Sequence, residues 1–433
     1  MADTLAPSSV LFTCISGPDQ GKRFVLQETE LVLGRTTDCN VLCDDPDVSP
    51  RHAVLSLKSG KPVCRSVEAA PIFLDGQRIA ETFIERDQQL RIGRSLWQIA
   101  PASSGDTTWF GKLGEKITDF AGVEKIHGFS AQTMFSEVFK KRGDSEIEDY
   151  VIVGTRTTTP PLGSVDANWP KPWLFLKAFS LSAAVYLLFY FAWERFSNEN
   201  LIPGLIMVGS FAIPFSILIF FFEVNVLRNI SFYEVIKLLL LGGILSLIAS
   251  LFAFDLTHLS GWMGPPAAGI IEECGKAAAL LLVINKLRYR WILNGLLFGA
   301  AVGTGFAVFE SAGYALRYGL AGGTNVMLNV ITIRGLLSIL GGHVLWSAMT
   351  GGALWRVRGD EKFSFAMLKE LPFLRVFAVA VLLHMVWDSS FQVPLYGKYI
   401  FLGFVAWIVL LGLIQQGLRQ VKTDQLASPR PTA

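Results

Sequence analysis

Two adjacent carboxylates and a lysine, Glu272, Glu273 and Lys276, sit inside an apolar run from about residue 264 to residue 284. An ionisable side chain at the centre of a membrane-spanning helix costs about 2.5–3.5 kcal/mol on insertion scales, so such groups need partners or a task. Candidate partners recur inside three further apolar runs: Glu310, His343, and His384 with Asp388. Acids and imidazoles are the groups of proton transfer and of metal ligation. Gathered around one water they suit hydrolysis of an amide, which needs a base for the water, a donor for the oxyanion and an acid for the leaving amine. Glu272 or Glu273 is the expected base, and His343 and His384 are expected to donate to the oxyanion or to ligate a metal. Asp388 can orient His384, and Lys276 can balance charge. The candidate zinc ligands are His343, His384 and Glu310. No His-Glu-x-x-His helix is present, and the residues leave metal-assisted and metal-independent glutamate chemistry both open. Cys274 projects about 100° from Glu273 on a helix, which makes it a poor nucleophile for this site.

Helical geometry must bring these groups together. Glu272 and Lys276, like His384 and Asp388, are four residues apart and share a helix face. Gly295, Gly299, Gly303, Ala307 and Ser311 form a strip of small residues at steps of four, which lets another helix approach closely beside Glu310. Apolar runs of spanning length occur at about 174–193, 203–222, 235–254, 264–284, 291–316, 329–355, 371–391 and 399–417, which predicts about eight transmembrane helices. Basic residues cluster in alternate connections, at 228–237, 286–290, 356–369 and in the tail. By the positive-inside rule both termini are then cytoplasmic, in a multi-pass protein of the cell's inner membrane. Glu223 and Arg334, near the ends of spans, read as interface anchors.

The four stretches Glu272-Glu273-x-x-Lys276, Phe306-x-x-x-Glu310 with Tyr314, His343 followed by Gly351, and His384-x-x-Trp387-Asp388 together resemble the PrsW family of polytopic membrane proteases, related in pattern to CAAX prenyl proteases. The resemblance covers about residues 173–418. It implies proteolysis of a membrane-anchored protein in or near the bilayer, often a signalling step such as release of an anti-sigma factor. Ser311 departs from the Asn that the family often carries after this Glu.

The 433 residues exceed one ordinary domain, and 17% charged content lies below the ~25% of soluble domains, so part of the chain is expected to lie in lipid. The charge is concentrated before about Pro170. No apolar leader precedes this front segment, so it is expected to stay cytoplasmic with reduced thiols. Cys39 and Cys43 lack the second ligand pair of a zinc finger. A net charge of +2 gives no case for nucleic acid.

Between Val10 and Ile99, short strand-like runs separated by Gly, Pro and Asp predict an all-β sandwich. Leu33-Gly34-Arg35, Ser49-Pro50-Arg51-His52-Ala53, Leu74-Asp75-Gly76 and Leu90-Arg91-Ile92-Gly93 resemble a forkhead-associated (FHA) domain. The resemblance implies phosphothreonine binding, with Arg35, Ser49 and Arg51 at the phosphopeptide loops and His52 bracing them. Arg offers a fork of donors to phosphate and Ser a hydroxyl. Pro50 and the stretch from Ser66 to Pro71 depart from the family pattern.

The expected organisation is an FHA-like sandwich at 8–101, a connector at 102–172, an all-α polytopic membrane domain at 173–418 and a cytoplasmic tail at 419–433. The connector should hold amphipathic helices around Trp109–Phe120 and, after a Ser130 cap, Met134–Phe139. It should end in an extended Thr155–Pro161 tether open to a kinase. The expected partners are a membrane-anchored protein substrate and a phosphothreonine-containing protein or the chain's own linker. A transporter that uses the buried acids and histidines as a proton or cation relay is the alternative, although no internal repeats are visible. An inactive phosphopeptide-binding scaffold is a third reading.

Overall fold

The computed structural model describes residues 10–26, 30–36, 38–58, 61–85, 88–101, 109–126, 129–340 and 342–427. Gly341 of the His343 stretch, connector residues 102–108 and tail residues 428–433 lie outside the described residues. The chain divides into two compact units, residues 1–112 and 113–433.

The first unit is a sandwich of two sheets. One orders β2 (Arg23–Leu26), β1 (Val10–Ser16), β11 (Ser95–Pro101), β10 (Gln89–Ile92), β7 (Ile72–Leu74) and β8 (Gln77–Ile79). The other orders β4 (Val41–Leu42), β3 (Leu31–Gly34), β5 (Ala53–Lys58), β6 (Lys61–Ser66) and β9 (Glu81–Phe83). Strand alternation explains the core. In β10, Leu90 and Ile92 are buried while Gln89 and Arg91 face out. They meet Phe12, Leu33, Leu55, Ile72 and Trp97 between the sheets. All the front cysteines are free thiols, and burial pushes Cys43 and Cys64 up to about 12, so these two serve packing.

The second unit is helical. Its helices are α1 (Trp109–Ala121, entering this unit at Leu113), α2 (Ala131–Met134), α3 (Asp144–Val151), α4 (Leu174–Phe196), α5 (Ile202–Val224), α6 (Phe232–Thr257) and α7 (Leu259–Met263). There follow α8 (Ala267–Ala279), α9 (Leu281–Ile284), α10 (Ile292–Gly322), α11 (Thr324–Leu340), α12 (His343–Arg358), α13 (Leu371–Asp388) and α14 (Gly397–Ala427). Among the described residues, seven helices are long and apolar enough to cross a membrane, counting α11 with α12 as one. The remaining apolar stretch, 264–284, is divided. Gly264 takes φ +68°, Pro265 and Pro266 lead into α8, and the helix breaks at Leu280 before the four-residue α9. α8 nonetheless packs closely on α6, since a Cβ on Gly275 would lie 2.5 Å from Ser250 Oγ and 2.9 Å from Ser246 O.

α10 is the hub. The small-residue strip receives α12 rather than a generic neighbour: a Cβ on Gly295 would meet Gly351 O at 2.4 Å, one on Gly299 Ser347 O at 2.0 Å, and one on Gly303 His343 O at 2.3 Å. These contacts fix the antiparallel register that sets His343 beside Phe306 and Glu310. Glu223 is the anchor expected, accepting the amides of Trp173, Leu174 and Phe175 at 2.7, 2.8 and 2.9 Å and so capping the start of α4.

The connector differs from its sequence reading in two places, the second helix and the Thr155–Thr159 stretch. The second amphipathic helix is only α2, capped by Ser130; Ser136 Oγ donates to Thr133 O, and the chain turns instead of continuing as helix. α1 and α2 pack on the helical unit itself, with Ala121 and Met134 buried in its core and Ile117 packed against it. Thr155–Thr159 is a closed turn, not an extended tether: Thr159 N–H and Oγ1 both donate to Thr155 O, and the Thr155 hydroxyl bonds those of Thr157 and Thr158. Residues 419–427 of the tail continue α14, tied back by Asp424 to Arg290 and Trp291.

The α10–α12 contact is testable. Gly299→Val should cost about 1–3 kcal/mol or more, because the new Cβ meets backbone that no rotamer change can clear. Gly313→Ala, with open space around it, should be neutral. Thermal unfolding of the two full-length variants in detergent makes the comparison.

Candidate functional site

α8 carries Glu272, Glu273 and Lys276 into the centre of the helical unit, where all three are buried. Lys276 Nζ donates to Glu273 Oε1 at 2.5 Å and lies 2.9 Å from His343 Nδ1, the first residue of α12. His343 Nε2 faces Glu310 Oε2 of α10 at 2.9 Å. Glu310 Oε2 is also bonded by the Arg334 guanidinium of α11, whose Nε donates to Ser311 Oγ at 3.0 Å. From α13, His384 Nδ1 meets Glu273 Oε1 at 2.9 Å, and its Nε2 lies 3.2 Å from Asp388 Oδ2 and 3.7 Å from Glu272 Oε2. The seven residues expected from sequence therefore meet in one network.

They are not equivalent. A cavity of about 820 Å³ is lined by Glu272, Glu310, His343, His384 and Asp388, together with Arg334 and Tyr314. Glu273 and Lys276 stand behind it. Two contributors escaped the sequence reading. Arg334 is part of the site rather than an interface anchor, and it lies over the Tyr314 ring at 4.5 Å. Trp346, one turn after His343, stacks on the His384 ring with centroids 4.4 Å apart. An arginine inside an apolar run was the available signal for the first; nothing in spacing marks the second.

The residues fit a divalent metal. Among the described residues, Glu272, His343 and His384 offer ligand atoms all within 4.8 Å of one another. Glu310, expected as a ligand, is instead held between His343 and Arg334. An imidazole that gives its Nδ1–H to Glu273 presents a lone pair at Nε2, and here that lone pair faces two carboxylates, which demands a proton or a metal ion between them. Glu272 Oε2 is buried without a hydrogen-bond partner. Two imidazoles and a carboxylate are a zinc-type donor set, and the Glu273–His384 pair is the outer carboxylate such a ligand uses. Lys276, close to His343 Nδ1, is the cation the cluster already holds.

The first unit holds the second group of residues expected from sequence. Arg35 and Arg51 are exposed and Ser49 half-buried, on adjacent loops joined by the Arg35 amide donating to Ser49 O at 3.2 Å. A Cβ on Gly34 would lie 2.0 Å from Pro50 O, so glycine is required where the loop crosses the end of β3. His52 is buried beneath, its Nδ1 accepting the Ser49 amide at 2.9 Å and its Nε2 lying 3.1 Å from Pro71 O. These bonds define the neutral tautomer with the proton on Nε2.

Comparison with known proteins gives two family matches. Residues 213–414 match the PrsW family intramembrane metalloproteases, and residues 13–103 match the cytoplasmic domain of an inner membrane component of the type III secretion system. A curated relative, an oxoglutarate dehydrogenase inhibitor of Corynebacterium efficiens, is 35% identical over 60 residues, which span 14% of this chain and 42% of that protein. The chain thus spans under half the length of the curated relative it matches. Among solved structures, an FHA domain with phosphothreonine-dependent interactions is 19% identical, with a TM-score of 0.20 over 21% of this chain and 95% of that one. The cytoplasmic domain of the secretion sorting-platform protein PscD from P. aeruginosa is 20% identical, with a TM-score of 0.20 over 22% of this chain and 81% of that one.

Burial lowers the His52 pKa below the ordinary histidine value. The native sandwich thus resists a proton that the unfolded chain accepts, so this residue's contribution is fully present above about pH 6.5 and is lost as pH falls toward the lowered native value. Denaturant unfolding of the sandwich in the full-length protein should show a fall in stability from pH 7 to pH 5 that shrinks in His52→Gln.

Proposed function

We propose, for a chain that carries a PrsW-family intramembrane protease domain behind an FHA-like sandwich, that it cleaves a membrane-anchored protein as a step in signalling and that phosphothreonine binding directs it to that substrate. The observation that carries the hydrolytic reading is the unpaired Glu272 Oε2, set 3.7 and 3.9 Å from nitrogens of His384 and His343 at the wall of the cavity. Glu272, His343 and His384 would hold a divalent metal, which when bound polarises water and the scissile carbonyl. Glu273 fixes the His384 ring, Lys276 holds Glu273, and a metal at His343 would take the Nδ1 lone pair that faces Lys276 at 2.9 Å. Glu310, against His343, and Asp388, against His384, line the cavity and would take the water's proton and return it to the leaving amine. Arg334 supplies donors for the developing oxyanion. The positive-inside pattern supports the inner membrane with both termini in the cytoplasm, where a kinase's products are available to the FHA-like loops.

For the sandwich, Arg35, Ser49 and Arg51 would receive the phosphate. The ligand we favour is a partner protein rather than the chain's own linker, because the hydroxyls of Thr155, Thr157, Thr158 and Thr159 are already engaged within their turn. Release of an anti-sigma factor is one reaction of the proposed class.

The test is cleavage of single-span reporter proteins by the purified full-length protein. Glu272→Gln and His384→Ala should each lower the rate by about 10²–10⁴, and a chelator should stop wild-type cleavage until zinc is restored. Undiminished cleavage by Glu272→Gln would overturn the assignment. Separately, Arg35→Ala should weaken binding of a phosphothreonine peptide library by at least about tenfold, with the unphosphorylated peptides unaffected.

A further inference from the structure

α13 ends at Asp388, which lines the cavity and touches His384. The chain then bends at Ser389 and Ser390 and runs outside any helix or strand through Val393 before one 3-10 turn, Pro394–Tyr396, returns it to α14. Residues 390–396 are all exposed, Phe391 by 62% and Leu395 by 90%. Phe391 and Val393 flank Gln392, so that in an extended stretch their apolar side chains would share one face, while Leu395 belongs to the 3-10 turn. The amides of Ser390, Phe391, Gln392 and Val393 make no hydrogen bond among the described residues.

The loop is nonetheless held in shape. Buried Lys398 donates to Trp387 O at 2.9 Å and Ser389 O at 3.0 Å, and Leu395 and Tyr396 take left-handed φ of +55° and +56°, which non-glycine residues adopt only when their surroundings impose it. Its two chemical properties conflict. The apolar side chains favour leaving water, whereas unpaired amides are disfavoured among acyl chains. A partner that offers both apolar side chains and backbone carbonyls resolves the conflict.

The hydrolytic reading supplies such a partner, and the inference rests on that reading. An amide within a helix has its carbonyl engaged and its faces shielded, so a membrane-anchored substrate must be unwound before it can be cut. We propose that residues 390–393 receive the unwound substrate backbone as an added strand and so deliver its scissile amide to the cavity. Pairing with this segment replaces the hydrogen bonds that unwinding breaks, and Phe391 and Val393 select apolar side chains at alternate substrate positions. The segment begins two residues past Asp388, at most about 7 Å along the chain, which keeps the paired stretch contiguous with the residue to be cut.

The experiment uses the full-length protein in nanodiscs and a fluorescent peptide with one apolar span and a Val/Thr-rich juxtamembrane stretch. Binding is measured on the Glu272→Gln background, and KM and kcat on the otherwise wild-type protein. Alternate strand amides point to opposite sides, so one of Phe391→Pro and Gln392→Pro should weaken binding at least tenfold and raise KM equally with kcat little changed, the other having little effect. Phe391→Ala and Gln392→Ala control for the side chains, and unchanged thermal unfolding controls for folding. Amide exchange at 390–393 should slow only when the peptide is added. The proposal is overturned if neither proline variant differs from its alanine control, or if nanodisc lipid alone protects these amides. Proline-sensitive binding without any cleavage by wild type would sink the proteolytic reading and leave the strand docking standing; cleavage indifferent to both prolines would do the reverse.

Discussion

A buried charge must be paired where it is buried, and this constraint organises the helical unit. Glu273, Lys276, His343, Glu310 and Arg334 form an unbroken chain of ionic and hydrogen-bonded contacts, with His384 joined at Glu273 and Asp388 joined to His384. The chain links α8, α12, α10, α11 and α13. Removing one member of a buried pair costs about 3–5 kcal/mol, because the survivor is left charged without a partner. The network is therefore a condition of the packing as well as the candidate site, since none of these five helices can leave without stranding a charge.

Close packing makes the network geometrically possible. Glycines on α10 allow the α12 backbone to approach so nearly that His343 reaches Glu310, and Gly275 does the same for α8 against α6. The break at Gly342, with φ +129°, starts α12 inside the unit and places His343 at its first turn, where the ring reaches Lys276 and Glu310 at once. Within the convergence, burial divides the labour. Glu273 and Lys276 are sealed off and orient their neighbours, while Glu272, His343 and His384 meet the cavity and can meet a substrate.

Much of this was legible in the sequence because charges in apolar runs are rare enough to be informative. Glu272, Glu273, Lys276, Glu310, His343, His384 and Asp388 announced themselves in this way, and the strand alternation of residues 10–101 announced a sandwich. What was not legible depends on tertiary partners. Arg334 resembled an end-of-span anchor because its partners Glu310 and Ser311 lie on another helix at no fixed spacing. Thr155–Thr159 resembled a tether because hydroxyl-to-backbone bonds leave no trace in hydropathy, and the stretch 264–284 read as one helix because its break at Leu280 carries no glycine or proline. That Arg334 pairs with Glu310 and leaves Glu272 Oε2 unbonded beside the histidines has no mark in the sequence either.

Glu272, His343 and His384 are proposed as a single ligand set at the wall of the cavity. X-ray absorption at the zinc edge of the full-length protein loaded with one equivalent of zinc tests it most directly. Two imidazole nitrogens and a carboxylate oxygen around the metal, with the imidazole signal halved in His384→Ala, are predicted. Zinc bound without histidine, or not retained at all, would contradict the claim.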